Sequence, residues 1–390
     1  MLSDSMRVFI TVADKKNFSK AAKALNLTQP AVSFQIQTLE QYYQTMLFDR
    51  VNRHVKLTSA GELLLDYAIH MNNLQAELEK NMQQFRGNIT RMLSYRRFIM
   101  TRTIENSFLK ISVSDHGAEL TGIYDKTNDR EILWQADPAY WKRHAPVLFP
   151  NVGRHFEDHY RINGVEYPSS QHGFARDSEF TCVDMTADSI THRLKSSDAT
   201  RENYPYDFEL KIKHVLEKNQ VSVCWEVISL NDETMYFTIG GHPAFNVPAG
   251  GIGSQEQYHL TFDGRDSLSY LLIDMSSGTA VADKAYTLEL ENGSCLIDAH
   301  MFDKDALIFD DQIEKAGIAF PDGTPYVELI CHGFPSFGIW SVPGSPFVCL
   351  EPWMGRCDDF GFKGELPEKK YINTLDKDEI FTASYEIKIY

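Results

Sequence analysis

The sequence lacks paired cysteines, long apolar runs and an evident metal motif. Its six cysteines all lie in the C-terminal part and none forms a C-x-x-C pair, so we expect reduced thiols rather than disulfides or a zinc site. His155 and His159 have a spacing that suits a metal, but no third ligand accompanies them, and we expect no metal.

Targeting and membrane signals are also missing. No run reaches the roughly 18 apolar residues that a membrane helix needs, and the first residues lack the basic and apolar pattern of a signal peptide. We therefore expect a cytoplasmic protein with no membrane partner. A chain of 390 residues is too long for one ordinary core and predicts two or three domains.

Charge is distributed unevenly along the chain. The net charge of −16 argues, for the chain as a whole, against nucleic-acid binding. Residues 1–100, however, carry 13 Lys and Arg against 8 Asp and Glu, a net of +5, which leaves −21 for residues 101–390. A basic head on an acidic body is expected when only the head meets a polyanion.

The sequence of the basic head predicts helices joined by tight turns. Asn17 opens a second helix, and Thr28 caps a third one in which Pro30 occupies the first turn, where its missing N–H costs nothing. Such helices form a helix-turn-helix whose amides and hydroxyls suit base edges in the major groove, while the helix start at Thr28 can receive a phosphate. The polar residues away from the apolar stripe of this third helix are Gln29, Ser33, Gln35 and Gln37.

A β-hairpin wing and a long helix follow. Two short alternating runs flank an Asn-Arg turn, and Thr58 or Ser59 then caps a helix with one apolar side that extends to about residue 86. A helix this long at the edge of a small domain usually pairs with its own copy, so we expect a homodimer. The basic residues expected to face the phosphate backbone are Arg50, Arg53 and Lys56.

The order and spacing of these motifs closely resemble the LysR-type transcriptional regulator family. The resemblance rests on the run from Phe18 to Ser33, on Leu39-Glu40, on Leu47-Phe48-Asp49-Arg50 and on the run from Leu57 to Gly61. It implies a winged helix-turn-helix over residues 1–58, a dimerisation helix over 59–86 and binding to double-stranded DNA. The rest of the sequence, however, lacks the alternating strands and helices of the two-lobed α/β effector domain that members of that family carry.

After a polar and basic linker over residues 87–102, the sequence pattern becomes typical of β-strands. Period-two alternation recurs, for instance over 109–114 and 221–228, and turn signals recur every ten or so residues. Long helical stripes are missing. Residues 103–390 therefore predict one large all-β sandwich or barrel behind an all-α head.

Four stretches are too polar for plain strands, and each places an ionisable residue beside Gly or Pro, which suggests tight turns at a concave site. They are the residues 148–154, 171–177, 240–246 and 349–355. In this order they resemble the aldose 1-epimerase (galactose mutarotase) family, and the Phe-Pro-Asn-Val-Gly-Arg and His-Gly-Phe-Ala-Arg signatures resemble its LacX-like branch. The resemblance implies a β-supersandwich that binds hexoses in an open groove.

The chemistry of that family is the interconversion of sugar anomers by opening of the ring. A base removes the proton of the C1 hydroxyl while an acid protonates the ring oxygen, which needs a carboxylate and a histidine, expected on opposite sides of the sugar, and no metal or nucleotide cofactor. The resemblance assigns Glu351 as the base and His242 as the acid. It assigns His172 and Arg154 to substrate orientation and Asp305 to a sugar hydroxyl.

Three further residues are candidates from their residue types. Trp353 and Phe245 are apolar platforms for the face of a sugar, and Arg176 either buttresses the site through a carboxylate or recognises a phosphate on the sugar. The sequence thus leaves four hypotheses open: a sugar-responsive transcription regulator, a working aldose 1-epimerase with a DNA-binding head, a hexose-phosphate epimerase, and a fusion of neighbouring genes without regulatory purpose.

Overall fold

The computed structural model describes residues 2–51, 54–65 and 100–390. The chain divides into two compact units, Met1–Arg97 and Phe98–Tyr390. Among the described residues, no helix combines the length and the apolar character needed to cross a membrane.

Three helices build the N-terminal unit: α1 (Leu2–Lys15), α2 (Phe18–Leu25) and α3 (Gln29–Tyr42). Asn17 caps α2 by accepting a hydrogen bond from the Lys20 N–H at 3.0 Å, and Thr28 caps α3 by accepting one from the Ala31 N–H at 3.3 Å. Asn26 ends α2 in the left-handed conformation, with φ of 55°. Both predicted helix starts are confirmed. The apolar core between the helices includes Val8, Phe9, Val12, Ala21, Val32, Ile36 and Leu39.

The predicted wing is present as the antiparallel hairpin of β1 (Phe48–Val51) and β2 (His54–Leu57). Two residues were predicted as the N-terminal cap of the next helix. Thr58 is the cap, because its Oγ1 accepts a hydrogen bond from the Gly61 N–H at 3.1 Å. Residues 59–65 are helical. The rest of the predicted dimerisation helix, Arg53 and most of the predicted linker lie outside the described residues.

A buried carboxylate joins α3 to the wing. Glu40 Oε1 accepts hydrogen bonds from the backbone N–H groups of Leu47, at 2.9 Å, and Phe48, at 3.3 Å. These two donors would otherwise be buried without a partner, since both residues belong to the apolar core. Glu40 therefore fixes where the wing begins relative to the third helix.

Antiparallel sheets build the C-terminal unit, and its first strand begins inside the predicted linker. A nine-stranded sheet has the order β10 (Thr181–Met185), β11 (Ser189–Lys195), β12 (Phe208–Glu217), β13 (Gln220–Ser229), β27 (Ile380–Ile389), β23 (Pro325–Ile330), β22 (Lys315–Ala319), β17 (His259–Phe262) and β20 (Ser294–Leu296). An eight-stranded sheet has the order β19 (Thr279–Glu289), β18 (Ser267–Asp274), β21 (Leu307–Asp310), β24 (Ser336–Trp340), β25 (Phe347–Met354), β15 (Ile239–Gly241) and β7 (Val147–Leu148), with β16 (Ala244–Asn246) also paired to β25.

Smaller sheets complete the unit. A four-stranded sheet has the order β3 (Thr101–Glu105), β4 (Leu109–Ser114), β5 (Leu120–Asp125) and β6 (Arg130–Glu131). Two two-stranded sheets remain: the hairpin of β8 (His159–Ile162) with β9 (Val165–Pro168), and the pair of β14 (Met235–Phe237) with β26 (Asn373–Leu375), which are distant in the sequence.

One continuous apolar core holds the sheets together. In β12 and β13, alternate side chains are buried while the others face outward, as expected for strands with one face on a core. In β25, by contrast, every residue except the last is buried. The predicted all-β supersandwich is confirmed, and the long strand that carries the predicted catalytic carboxylate is buried along nearly its whole length.

We predict that Glu40→Ala loosens the wing, because it leaves the buried Leu47 and Phe48 N–H groups without an acceptor, at a cost of about 1–3 kcal/mol. Hydrogen exchange followed by mass spectrometry would show exchange of the 46–51 segment faster by about 10- to 100-fold. Gln41→Ala, at an exposed neighbouring position, is the matched control. Unchanged protection in Glu40→Ala would contradict this role.

Candidate functional site

A cavity of about 430 Å³ opens in the C-terminal unit, within the size range of small-molecule sites. Six of the eight residues predicted for a sugar site line it, namely His172, Arg176, His242, Asp305, Glu351 and Trp353. A larger hollow of about 640 Å³ lies on the outward face of the nine-stranded sheet. Lys211 and Glu226 in its lining pair with each other at 2.5 Å, and the predicted acid and base are in the first cavity.

Strand β25 presents the floor of this cavity. Glu351 and Trp353 are two residues apart and therefore point to the same face of the sheet. Glycines on both neighbouring strands make room for the indole: a Cβ on Gly338 would lie 2.4 Å from the Trp353 ring, and one on Gly240 would lie 2.6 Å from it. The glycines let Trp353 lie across the sheet beside Glu351.

The segment between β15 and β16 delivers His242 to the same floor. Its Nε2 lies 3.3 Å from Glu351 Oε2. Trp141 stacks on the imidazole with ring centroids 4.8 Å apart, and Trp340 meets it edge-on at 5.5 Å. The two groups thus converge, but in direct contact rather than on opposite sides of the site. Because the C1 hydroxyl oxygen and the ring oxygen of a sugar are bonded to the same carbon, adjacent groups suit them.

Burial disfavours the charged form of both partners. It raises the pKa of Glu351 well above its usual range, and the nearby Asp305 carboxylate adds to the shift. Burial also lowers the pKa of His242 to about 3, with the positive charge of Arg176 as the next cause. Both shifts favour the neutral forms of the carboxyl and the imidazole.

Several polar atoms in the cavity are buried without a hydrogen-bond partner among the described residues. They are His242 Nδ1, Glu351 Oε2, Trp353 Nε1 and Arg176 Nε. Buried polar groups in proteins are normally satisfied, and an exception calls for an explanation. A ligand that offers several hydroxyl groups would satisfy donors and acceptors together.

His172 is held in a strained backbone conformation, with φ of 66°. Its Nδ1 accepts a hydrogen bond from the Gly153 N–H at 3.0 Å, so the ring proton is on Nε2. Its ring meets that of His242 edge-on, with centroids 5.6 Å apart. Asp305 also has a positive φ, of 70°, and burial raises its pKa.

Cationic side chains line one part of the cavity. Arg176 donates to the Gln171 carbonyl at 2.6 Å, and Arg143 pairs with Asp177 at 2.9 Å. Burial lowers the pKa of Arg176 to about 10, and the charge of Arg143 is the next cause. With Lys142, three cations line the cavity, against Asp305 and Glu351.

Two sequence-based expectations change. Phe245 is fully buried in the main core, where β16 pairs it with Val348, so its role as a sugar platform was wrong. Its place in an alternating strand turned the ring away from the cavity. Arg154 pairs with Asp158 at 3.1 Å and is not among the described residues that line the cavity, although its Cδ lies close to Gly278, which does line it.

Sequence reasoning missed Trp141, Trp340, Lys142 and Arg143 in the cavity. Trp141, Lys142 and Arg143 are consecutive in the sequence, and this aromatic and basic cluster was a usable signal. Trp340 ends β24, whose other residues are all buried, so only the packing of β24 against β25 reveals its position.

The helix α3 offers the second candidate surface. Thr28, Gln29 and Pro30 are exposed, and Gln29 donates to Ser33 at 3.2 Å. Lys56 on the wing is exposed as well. The side chain of Arg50 lies outside the described residues.

Two side chains of α3 differ from the sequence-based expectation. Gln35 is half-buried and accepts a hydrogen bond from the buried Ser5 hydroxyl of α1, so it faces the helix bundle rather than an open groove. Phe34, which the sequence analysis passed over, is 68% exposed beside Ser33. A large exposed aromatic on this helix is suited to apolar contact with a thymine methyl group.

Comparison with known proteins agrees with the two units. Residues 3–62 match the family "Bacterial regulatory helix-turn-helix protein, lysR family", and residues 100–282 match the family "Aldose 1-epimerase". Protein LacX (plasmid) of Lactococcus lactis subsp. lactis is 30% identical over 306 residues, which span 74% of this chain and 99% of LacX. The chain belongs to the aldose 1-epimerase family through its C-terminal unit.

Other known proteins are similar to one or the other of the two units. The crystal structure of a galactose mutarotase related enzyme from Lactobacillus acidophilus is 32% identical, with a TM-score of 0.71, and the match covers 75% of this chain and 97% of that one. An uncharacterized HTH-type transcriptional regulator of Azotobacter vinelandii is 40% identical over 90 residues, which are 23% of this chain and 62% of that protein. The chain is thus a lysR-type head joined to a LacX-like body.

We predict that Glu351→Gln stabilises the C-terminal unit in alkaline but not in acidic solution. With its pKa raised by folding, the carboxyl holds a proton that the unfolded chain has lost, so the native unit loses stability as pH rises above the usual carboxyl pKa. The amide removes this loss. The gain is expected to reach about 1.4 kcal/mol per pH unit between the two pKa values.

Tryptophan fluorescence during urea unfolding measures this gain, because all five tryptophans are in the C-terminal unit. Wild type and variant should coincide near pH 4 and separate near pH 8. Glu202→Gln, at an exposed position, is the control and should change little at either pH. A variant that is less stable than wild type at alkaline pH would contradict the prediction.

Proposed function

We propose that the protein is a DNA-binding transcription regulator whose activity responds to a hexose bound in the C-terminal cavity. The observation that carries the proposal is the joining, in one chain, of a lysR-type head to a body whose cavity holds an acid–base pair and unsatisfied polar atoms. The net positive charge of the head and the net negative charge of the rest of the chain support the assignment of DNA to the head. The proposal includes a cytoplasmic homodimer formed through the helix that begins at residue 59.

On the DNA side, we propose that α3 enters the major groove with Gln29, Ser33 and Phe34 toward the bases. The amide and the hydroxyl can hydrogen-bond to base edges, and the exposed Phe34 ring can contact a methyl group. Thr28 at the helix start and the basic wing residues, Lys56 among them, would contact phosphates and set the orientation of the helix.

On the sugar side, we propose that the pair retains ring-opening chemistry. Once the one proton of the pair has passed from Glu351 to His242, the Glu351 carboxylate would take the proton of the C1 hydroxyl while the His242 imidazolium delivers its proton to the ring oxygen; the open aldehyde rotates about C1–C2 and closure reverses both transfers. The raised pKa of Glu351 supports this, because the carboxylate form is then a stronger base than an ordinary carboxylate. A site that only bound a sugar would not require both a base and an acid.

A phosphorylated hexose is favoured over a free one by the cations in the cavity. Arg143 lies close enough to disfavour the charge of Arg176, and Asp177 provides one carboxylate for both. A phosphate dianion would relieve this repulsion and would accept a hydrogen bond from Arg176 Nε, which has no hydrogen-bond acceptor among the described residues. Arg176 thereby serves as a phosphate ligand in the proposal rather than a buttress.

Regulation requires that the sugar bind two states of the protein with different affinity. The states would differ in how the dimer presents its two α3 helices to DNA. A coupling of 1–3 kcal/mol, typical of allosteric proteins, corresponds to about a 5- to 150-fold change in DNA affinity.

We predict that the full chain forms a competitor-resistant complex with the DNA upstream of its own gene, and that a hexose or hexose phosphate shifts the Kd by about 5- to 150-fold. Gel shifts with and without a panel of sugars measure both. Gln29→Ala should weaken the complex with or without sugar, whereas His242→Gln should keep the sugar-free complex and remove the shift. No specific complex at any sugar concentration would refute regulation, and a complex unmoved by every sugar would support fusion without regulatory purpose.

Polarimetry on freshly dissolved α-anomers tests the chemistry. Wild type should accelerate mutarotation, and Glu351→Gln should lower kcat by about 10²- to 10⁴-fold. Lys142→Gln, at an exposed position on the rim, should raise KM for a hexose 6-phosphate but not for the free hexose. A rate equal to the uncatalysed one with the sugar still bound would identify a sensor without catalysis. An equal KM change for both sugars would refute phosphate recognition.

A further inference from the structure

A third side chain joins the acid–base pair from the interior. The sulfur of Cys349 and the ligand atoms of His242 and Glu351 all lie within 4.8 Å of one another, and the three residues are buried. Cys349 and Glu351 share a face of β25 because they are two residues apart. The pairing of Cys349 with Ala244 draws the chain that carries His242 over the same spot.

These donors are the types that bind zinc. Thiolate, imidazole and carboxylate together favour a borderline-soft dication over Mg²⁺ or Ca²⁺, which take oxygen ligands. The 3.3 Å between His242 Nε2 and Glu351 Oε2 matches the separation of two ligands on one tetrahedral ion with bonds of about 2.0–2.2 Å. Glu351 Oε2 is without a hydrogen-bond partner among the described residues, so an ion bound there would displace no protein hydrogen bond.

Metal binding would couple to the protonation of the three donors. A neutral imidazole already has the lone pair that a metal takes. A dication would offset the cost of ionising the thiol and the carboxyl, and its binding would release their protons.

We propose that Cys349, His242 and Glu351 form a binding site for Zn²⁺ or a similar thiophilic dication, with its fourth position open to the cavity. His242 and Glu351 line the cavity and Cys349 closes the site from behind. Three protein ligands and one exchangeable position are typical of open zinc sites. The ion occupies the lone pairs that ring opening requires, so metal binding and acid–base chemistry exclude each other, and zinc inhibits the sugar reaction.

Cobalt is the probe for the binding step, because a Co²⁺–thiolate bond gives a near-ultraviolet charge-transfer band that imidazole and carboxylate sites do not. The purified full chain, free of any histidine tag, is titrated with Co²⁺ and then with Zn²⁺. We expect one Co²⁺ per chain, a thiolate band that Zn²⁺ abolishes, and a higher affinity at higher pH because thiol deprotonation accompanies binding.

Matched variants locate the site. Cys349→Ala should remove the thiolate band, and Cys357→Ala should keep it, although Cys357 is buried and lines the same cavity. Glu351→Gln, which retains the thiol, should weaken Co²⁺ binding at least about 10-fold. Tryptophan fluorescence verifies that each variant is folded. Absence of the band in wild type, its persistence in Cys349→Ala, or its loss in Cys357→Ala alone would overturn the proposal.

The inhibition rests on the proposed ring-opening chemistry and is measured separately. For each protein, the mutarotation rate with Zn²⁺ is divided by the rate of the same protein without Zn²⁺. This ratio should fall below one in wild type and return to one when a chelator is added. In Cys349→Ala the ratio should stay near one. A folded chain that binds Co²⁺ through the thiolate but shows no catalysis in any condition would refute the chemistry and leave the metal site standing. Catalysis that Zn²⁺ leaves unchanged in wild type would overturn the inhibition.

Discussion

The contact between His242 and Glu351 at the cavity floor is the constraint on which the C-terminal site depends. The two ionisable groups lie 3.3 Å apart, and burial beside three tryptophans and along strand β25 disfavours the charged form of each. The proposed sugar and the proposed metal ion would both meet this pair.

The scaffold holds this contact in place through backbone pairing and buried charge. Glycines on the strands beside β25 admit the Trp353 ring, and a buried cluster ties down the chain that follows. There, Asp358 pairs with Lys369 at 2.5 Å and with His155 at 3.3 Å, and the Asp358 N–H donates to the Arg154 carbonyl at 3.0 Å. His155 thus has a structural partner, which explains a histidine that the sequence left without a role.

Separation of charge lets one chain carry two kinds of ligand. The basic head can approach a polyanion, while the acidic body, at net −21 over residues 101–390, repels it. Inside that acidic body, Arg143, Arg176 and Lys142 gather around one cavity. A local cationic site in an acidic unit favours a small anionic ligand over a nucleic acid, because the surrounding surface rejects the larger polyanion.

The sequence by itself determined the two units, the helix caps at Asn17 and Thr28, the wing and six of the residues around the cavity, because short motifs and hydrophobic periods encode local structure and motif order. It could not place Phe245 or Gln35, since one residue of register, or the approach of another helix, decides which way a side chain points. Only the tertiary structure brought Trp340 and Cys349 to His242. Their positions depend on which strands pair with β25, and that choice is made by the packing of the whole sheet.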